Sequence, residues 1–311
     1  MNSILVSIIM PAYNCEKFIK QAIDSILNQT HTNFELLIAD DCSTDTTKNI
    51  IDSYSDLRIK RFHNENNLGY LNASNKLFSK CTGNYITFQD ADDYSDLTRI
   101  EKLVNFLEIN EDIGCCYSNN YGVDENGIEI GRSKFPLTHE EIYSEFLRRV
   151  VFCGAAIMLR GTVLKKVGFY DEYFHRLGNE DKQWFGKILE NSKVFCIDEP
   201  LYYYRLNQNS VSRTRENKKA YISEDIAKFC IIHLRSDKKD LLNDFSMKNK
   251  LNQYENERFA IYLLKESTFI KGLSIFSKVI FKFNFSNEFF REGLSQLKFA
   301  LLSKSISKKK Q

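Results

Sequence analysis

Tyr85–Asp96 reads YITFQDADDYSD. Its first four residues are apolar or β-prone and uncharged, as a strand buried on both faces requires. The next five contain three carboxylates, Asp90, Asp92 and Asp93. Like charges at the mouth of a buried strand repel one another, so the placement needs a physical reason. Carboxylate oxygens are the hard ligands that Mg²⁺ and Mn²⁺ prefer. In D-x-D on an extended segment two acids point the same way. Few acids with open coordination positions suit a metal shared with phosphates better than an all-protein cage. The structural alternative is a solvated turn capping the next helix, where acids are stabilising.

Working outward, near-continuous apolar runs alternate with helical patterns, the arrangement of parallel strands in an α/β domain. Val6–Met10 (VSIIM) reads as a first strand, and Asn14 as the cap of a helix carrying Phe18, Ile19, Ala22, Ile23, Ile26 and Leu27 at three-to-four spacing. Phe34–Ala39 (FELLIA) is a second strand ending in Asp40 and Asp41, after which residues 43–45 (STD) open a second helix. Arg58–His63 is a short strand, Tyr70–Ser79 a helix, and Tyr85–Gln89 the strand that delivers the acids. Each acidic cluster so far lies at the carboxyl end of a strand, the edge that forms the ligand crevice in open α/β sheets. Further on, Ile113–Ser118 reads as a strand, Gly122–Arg132 as a hairpin turning at Glu125-Asn126-Gly127, and Glu140–Val150 as a helix. Val163–Val167, Trp184–Leu189 and Val194–Ile197 complete a second α/β-like half, and after about Arg215 the pattern turns helical and basic.

A chain of 311 residues can bury a full core and carry an extension. Its 43% hydrophobic and 27% charged content is that of a soluble globular protein, and 13 Gly with 3 Pro leave little room for a low-complexity linker. No uncharged apolar run of about 18 residues exists, and MNSILVSIIMPAYN has no basic leader, so it reads as a strand rather than a signal peptide. Eight scattered Cys without C-x-x-C suggest neither a zinc site nor a disulfide framework; buried free thiols in a reducing cytoplasm are expected. The net charge of +2 hides an asymmetry, since the segment from Lys265 onward holds ten Lys/Arg against three Glu. A mildly acidic body is a poor nucleic-acid binder, so no nucleic-acid partner is expected, and an anionic surface would be met by the tail.

Two more acidic pairs stand out. For Asp40 and Asp41, a base ring or ribose is a better partner than a second cation, with a cap for the second helix as the coexisting alternative. Glu180 and Asp181, in LGNEDKQWFGKI, precede Trp184, Phe185, Ile188 and Leu189. A carboxylate beside an aromatic wall can hold a raised pKa and act as a base; two helix-start acids are the plainer reading. Missing G-x-x-x-x-G-K-[ST], G-x-G-x-x-G and G-x-S-x-G motifs remove the main support for P-loop, Rossmann and serine-hydrolase readings. Phosphate charge would then fall to the metal and a few cations, with Arg205 in YYYRLNQNSVSR a candidate.

Together these stretches resemble the family 2 glycosyltransferases with the GT-A fold, which invert the anomeric centre of nucleotide-diphosphate sugars. VSIIMPAYN is similar to the family's opening strand and nucleotide-contacting turn, which puts Pro11 and Tyr13 at the donor. FELLIADDCSTD resembles the acidic strand end, in which Asp41 would read uracil. HNENNLGYLNASN and GNYITFQDADD resemble the segment leading into the metal motif, with Asn75 at the donor, Asp90 near ribose and sugar, and Asp92 ligating Mn²⁺ or Mg²⁺. VGFYDEYF and LGNEDKQWFGKIL resemble the acceptor half, with Asp181 as catalytic base, and LYYYR…SVS the loop closing the donor site. The likeness spans about Val6 to Arg213. It departs at Ser74, where many members carry Arg, at Asn207, where YR-x-H is common, and in YSDLTR, which lacks the usual Pro.

The resemblance implies an α/β, GT-A-type mixed, mainly parallel sheet flanked by helices in a catalytic domain over 1–214. Its nucleotide-sugar half would cover about 1–112 and its acceptor half about 113–214. A helical basic extension is expected over 215–311. The implied activity is metal-dependent transfer of a sugar from a nucleotide-diphosphate sugar, UDP by resemblance, to a glycan or lipid-linked glycan acceptor, in bacterial surface polysaccharide synthesis. Phe269–Phe285 (FIKGLSIFSKVIFKFNF), followed by SKSISKKK, has an apolar face opposite a lysine face. That pattern suits a helix in an anionic membrane interface, which would make the protein cytoplasmic and peripheral on the inner-membrane surface. It suits equally a helix docked on the catalytic domain. Two rival functions are a D-x-D phosphohydrolase and a non-catalytic nucleotide-sugar-binding subunit. The first wants a small hydroxyl residue where Tyr94 stands, and the second has no use for a retained base.

Overall fold

The computed structural model describes residues 4–206 and 218–237 together with Leu242. The chain divides into two units, Met1–Thr214 and Arg215–Gln311. In the first, β1 (Val6–Ala12), β2 (Phe34–Asp40) and β3 (Ile59–His63) alternate with α1 (Ile19–Leu27) and α2 (Thr47–Asp52). Then come α3 (Gly69–Phe78), β4 (Tyr85–Phe88), the two-residue β5 (Tyr94–Ser95) and α4 (Arg99–Ile109). The second half contributes β6 (Ile113–Val123), β7 (Glu129–Arg132), α5 (His139–Glu145), β8 (Met158–Arg160), α6 (Gly161–Val167), α7 (Glu180–Asn191) and β9 (Lys193–Arg205). In the second unit the described helix is α8 (Lys218–Asp237). The basic segment Phe269–Phe285 lies outside the described residues, as does Asn207.

One mixed sheet runs in the order β3-β2-β1-β4-β8-β6-β9-β5, with β7 paired to β6. The first four strands are parallel to one another. Strand β8 runs antiparallel to both β4 and β6, whereas β9 returns parallel to β6. Helices cover both faces. On one, Val6, Ile8, Met10, Leu36 and Ile38 cluster with Ile19, Ile23 and Ile26 of α1 and with Leu103 and Leu107 of α4. On the other, Phe88 meets Phe78 of α3 and Trp184 of α7, both edge-on. Burial on both faces explains why these strands read as unbroken apolar runs rather than alternating ones. Strand order changes direction in sequence between β1 and β4, and their carboxyl ends open the switch-point crevice where α/β sheets bind ligands.

Several local expectations are corrected. Asn14 does not cap α1. It is left-handed (φ 49°), its Oδ1 accepts from Thr44 N at 2.8 Å, and so it ties the β1–α1 turn to the β2–α2 turn. Helix α5 stops at Glu145 rather than running to Val150; its start is fixed by a capping box between Thr138 and Glu141. The expected hairpin is present as β6–β7, closed by Gly127 N donating to Asp124 O. All eight cysteines are free thiols, five of them buried, Cys115 and Cys116 among them.

Glu35 shows how strands are clamped at the end away from the crevice. Buried on β2, it pairs with Lys60 of β3 and accepts from Ser7 Oγ of β1 and from Thr82 N and Oγ1. Burial alone would raise its pKa, but the hydrogen bonds from Lys60, Ser7 and Thr82 hold it below the ordinary 4.5. A depressed folded pKa contributes stability above the unfolded value and loses it as pH falls through the folded one. Glu35→Gln should therefore cost about 2–3 kcal/mol at pH 7, and the cost should shrink below about pH 4. Urea midpoints of both proteins at the two pH values test this.

Candidate active site

The crevice is built from the carboxyl ends of β1, β2 and β4 and the first turns of α3 and α7. Pro11 is buried in β1, and Tyr13, two residues on, is 49% exposed at the rim. Asp41 sits just past β2 with its backbone N–H on Ala12 O. Its carboxylate accepts from Asn64 Nδ2 and Leu68 N on one oxygen and from Gly69 N on the other, all at 2.8 Å. Asp41 therefore caps α3, not α2, and Gly69 reaches it with φ +77°, a conformation a side chain disfavours. Three of about four lone-pair positions are taken, and the residue is 3% exposed. Asp40 is turned inward, 2% exposed.

After β4 the three acids diverge. Asp93 is buried, and its Oδ1 accepts from Arg205 N at 2.7 Å; burial, then Asp92 and Asp90, push its pKa well up. Asp90 accepts from the Tyr70 hydroxyl at 3.3 Å while its own N–H donates to the Tyr202 hydroxyl at 3.1 Å. Burial raises the Asp90 carboxyl to about 7, with repulsion from Asp92 and Asp181 adding to it, and Tyr70 and Arg99 opposing. Beneath the loop Arg99 is fully buried. It donates to Ser95 Oγ, Thr87 Oγ1, Phe88 O and Ala155 O under the Tyr202 ring, and so ties the acidic loop to the segment at 154–156.

Asp181 begins α7 on the opposite wall. A Cβ on Gly154 would lie 3.4 Å from its Oδ2, so the glycine keeps the carboxylate's flank open. Burial raises neighbouring Glu180 to about 7, followed by repulsion from Asp181 and then from Asp90. Asp90, Glu180 and Asp181 thus feel one another's charge across some 90 residues of sequence. Three left-handed residues, Arg176, Gly178 and Asn179, bend the chain into this helix. Arg176 Nη2 donates to Asn67 O and Oδ1, joining the bend to the loop that Asp41 orders.

Two expected donor contacts are instead structural. Arg205 is 2% exposed; its Nε donates to Asp92 O, Nη1 to Asp124 O and Glu125 O, and Nη2 to Gln21 Oε1, with Phe18 stacked at 4.5 Å. A guanidinium so committed holds the acidic loop rather than phosphate. Asn75 forms a reciprocal pair with the backbone of Tyr170, Nδ2 to O at 2.9 Å and N to Oδ1 at 3.0 Å. It fastens α3 to the second half of the domain. Ser74, before it on α3, is buried. Tyr70, Tyr170, Arg99 and Gly154 were not singled out in the sequence. Only Tyr70 had a signal, its place directly after the NNLG turn.

As a cation site, the loop offers hard oxygen donors from Asp92 and Asp90 whose mutual repulsion a divalent ion would relieve. Among the described residues no group of three or more His, Cys, Asp or Glu is arranged to hold a metal. The donors fit an ion that takes its other ligands from a bound phosphate and water.

Comparison with known proteins agrees with this geometry. The family model "Glycosyl transferase family 2" matches residues 7–168, from β1 to the end of α6. An uncharacterized glycosyltransferase of Methanocaldococcus jannaschii is 34% identical over 227 residues, covering 70% of this chain and 77% of its own. The Escherichia coli UDP-Glc:alpha-D-GlcNAc-diphosphoundecaprenol beta-1,3-glucosyltransferase WfgD is 32% identical over 217 residues, 69% of this chain and 82% of its own. Among solved structures, S. aureus TarS 1–349 in complex with UDP-GlcNAc superposes with a TM-score of 0.61 at 19% identity, over 93% of this chain and 92% of that one. At that identity the superposition speaks for the GT-A-type fold. The sheet and the matched sequence therefore agree, and the chain belongs to glycosyl transferase family 2.

Proposed function

We propose that this glycosyltransferase moves a sugar from a UDP-sugar to a hydroxyl of a glycan or lipid-linked glycan acceptor, with inversion, in bacterial surface polysaccharide synthesis at the cytoplasmic face of the membrane. The observation that carries the reading is that Asp181 lies against Gly154, whose neighbour Ala155 shares the Arg99 guanidinium with Phe88 at the foot of the acidic loop. The donor class is supported by the UDP-glucose in the name of the E. coli relative and the UDP-GlcNAc bound to TarS. No described helix is long and apolar enough to cross a membrane.

Asp181 takes the proton from the acceptor hydroxyl as that oxygen attacks the anomeric carbon. A single base facing the leaving group means in-line displacement, so an α-linked donor yields a β-glycoside. The remaining lone pair of Asp41 accepts the uracil N–H, and Asp90 orients ribose or sugar hydroxyls. Asp92, with its loop held by Arg205 and Arg99, is the residue that would hold Mn²⁺ or Mg²⁺. Such an ion would neutralise the diphosphate and make it a better leaving group.

A thermal-shift panel of nucleotide sugars with Mn²⁺ tests the donor. A ligand at a hundred times its Kd adds about 2.7 kcal/mol, which for a domain of this size is roughly 5–10 °C. The shift should be seen with UDP-sugars and not with GDP- or dTDP-sugars, and chelation should abolish both it and turnover. Full activity after complete chelation would remove the role given to Asp92, and a flat panel would remove the donor reading.

A further inference from the structure

We propose that Tyr70 and Tyr170 form the wall that receives the transferred sugar, and that the Tyr70 hydroxyl selects among sugars by a hydrogen bond to one of their hydroxyls. The inference rests on the donor reading above. In-line displacement places the sugar ring between the departing diphosphate at the Asp92 loop and the base at Asp181. The two phenols span that gap. The Tyr70 hydroxyl donates to Asp90 Oδ1 at 3.3 Å on one side, and its ring neighbours that of Tyr170 on the other. Trp184, against which the Tyr170 ring packs, stands one turn after Asp181 on α7. The rings are 6.5 Å apart and tilted by 30°, and Tyr70, the exposed one, presents an aromatic face with a polar edge backed by Tyr170. A pyranose matches such a surface with one apolar C–H face and a rim of hydroxyls.

The two rings differ in freedom, which divides their roles. Tyr170 is 4% exposed, fixed through its backbone by Asn75 and packed against Trp184 at 5.3 Å and Phe78 at 5.5 Å. It is a rigid backing. Tyr70 is 40% exposed at the start of α3, and its 3.3 Å bond to Asp90 is long for an O–H···O contact. A substrate hydroxyl can take that hydrogen bond over. Because Tyr70 follows Gly69, whose N–H is held by Asp41, the residue that reads the sugar is anchored one position from the acid assigned to the base ring.

Calorimetric binding of UDP, UDP-glucose and UDP-N-acetylglucosamine to the full chain and to Tyr70→Phe, in Mn²⁺, tests this. Loss of one neutral hydrogen bond should weaken the tighter-binding sugar nucleotide by about 2–13-fold and draw the two sugars toward equal affinity. UDP alone should bind both proteins within about twofold. An equal loss for UDP and its sugars, or no loss for any of them, would overturn the selective role. A wild-type chain that binds none of the three fails earlier and differently, by removing the donor reading on which the inference stands.

Discussion

Asp181→Asn is expected to lower turnover by about 10²–10⁴-fold while donor affinity stays near that of the wild type. The amide has the carboxylate's shape but cannot accept the acceptor's proton. The backbone N–H of Lys182, now on Asp181 Oδ1 at 2.7 Å, can be met by the amide oxygen, so the start of α7 should survive. In the proposed mechanism Asp181 serves the acceptor while Asp41 and Asp92 serve the nucleotide, so the loss should appear in kcat with little change in the Kd of the UDP-sugar. Single-turnover rates beside equilibrium binding make the separation. Transfer by Asp181→Asn at close to the wild-type rate would place the base elsewhere, with Glu180 the adjacent candidate.

The second large effect is on stability. Arg205→Ala should cost about 3–5 kcal/mol, because it takes the guanidinium donors from Asp92 O, Glu125 O and Gln21 Oε1, leaves Asp124 O with Gly127 N alone, and empties a buried site packed against Phe18. For a unit of this size that is a fall of roughly 10 °C in Tm. Arg205→Lys should recover only a minor part, since an ammonium cannot reproduce the planar fork that reaches three carbonyls and Gln21 at once. Among molecules still folded, the acidic loop loses its clasp on Asp92 O, so more Mn²⁺ should be needed for half-maximal activity. Thermal melts and metal titrations of both variants test the two parts. Unchanged stability with lost donor binding would return Arg205 to the phosphate role.

The alternation of strand and helix in the first half was legible because its strands are buried on both faces and because α1 keeps its apolar residues at three-to-four spacing. The acids at the ends of β2 and β4 were legible as a ligand edge for the same reason: chain direction in a parallel sheet puts successive carboxyl ends on one side. Strands β5 and β8 were not legible, being two and three residues long and held by pairing to β9 and to β4 and β6. The direction of the second half followed from those pairings and had no counterpart in local periodicity.

At the level of single side chains the sequence determined the chemical inventory: one acidic triplet and two acidic pairs, their order, and the family whose motifs they fill. Tertiary structure alone decided the employment of each group. Arg205 and Asn75 are polar residues in motif positions, and nothing local distinguishes an exposed phosphate contact from a buried clasp. Their partners lie as far away as Gln21 and Tyr170. Asp41 turned to α3 because the 64–69 loop brings it three donors, and Tyr70 met Tyr170 because Asn75 fastened two halves of the sheet's helical cover. A hydrogen bond depends on a few tenths of an ångström and on direction, whereas burial depends on a pattern spread over many residues. The pattern survives in one dimension; the bond is made only when distant segments meet.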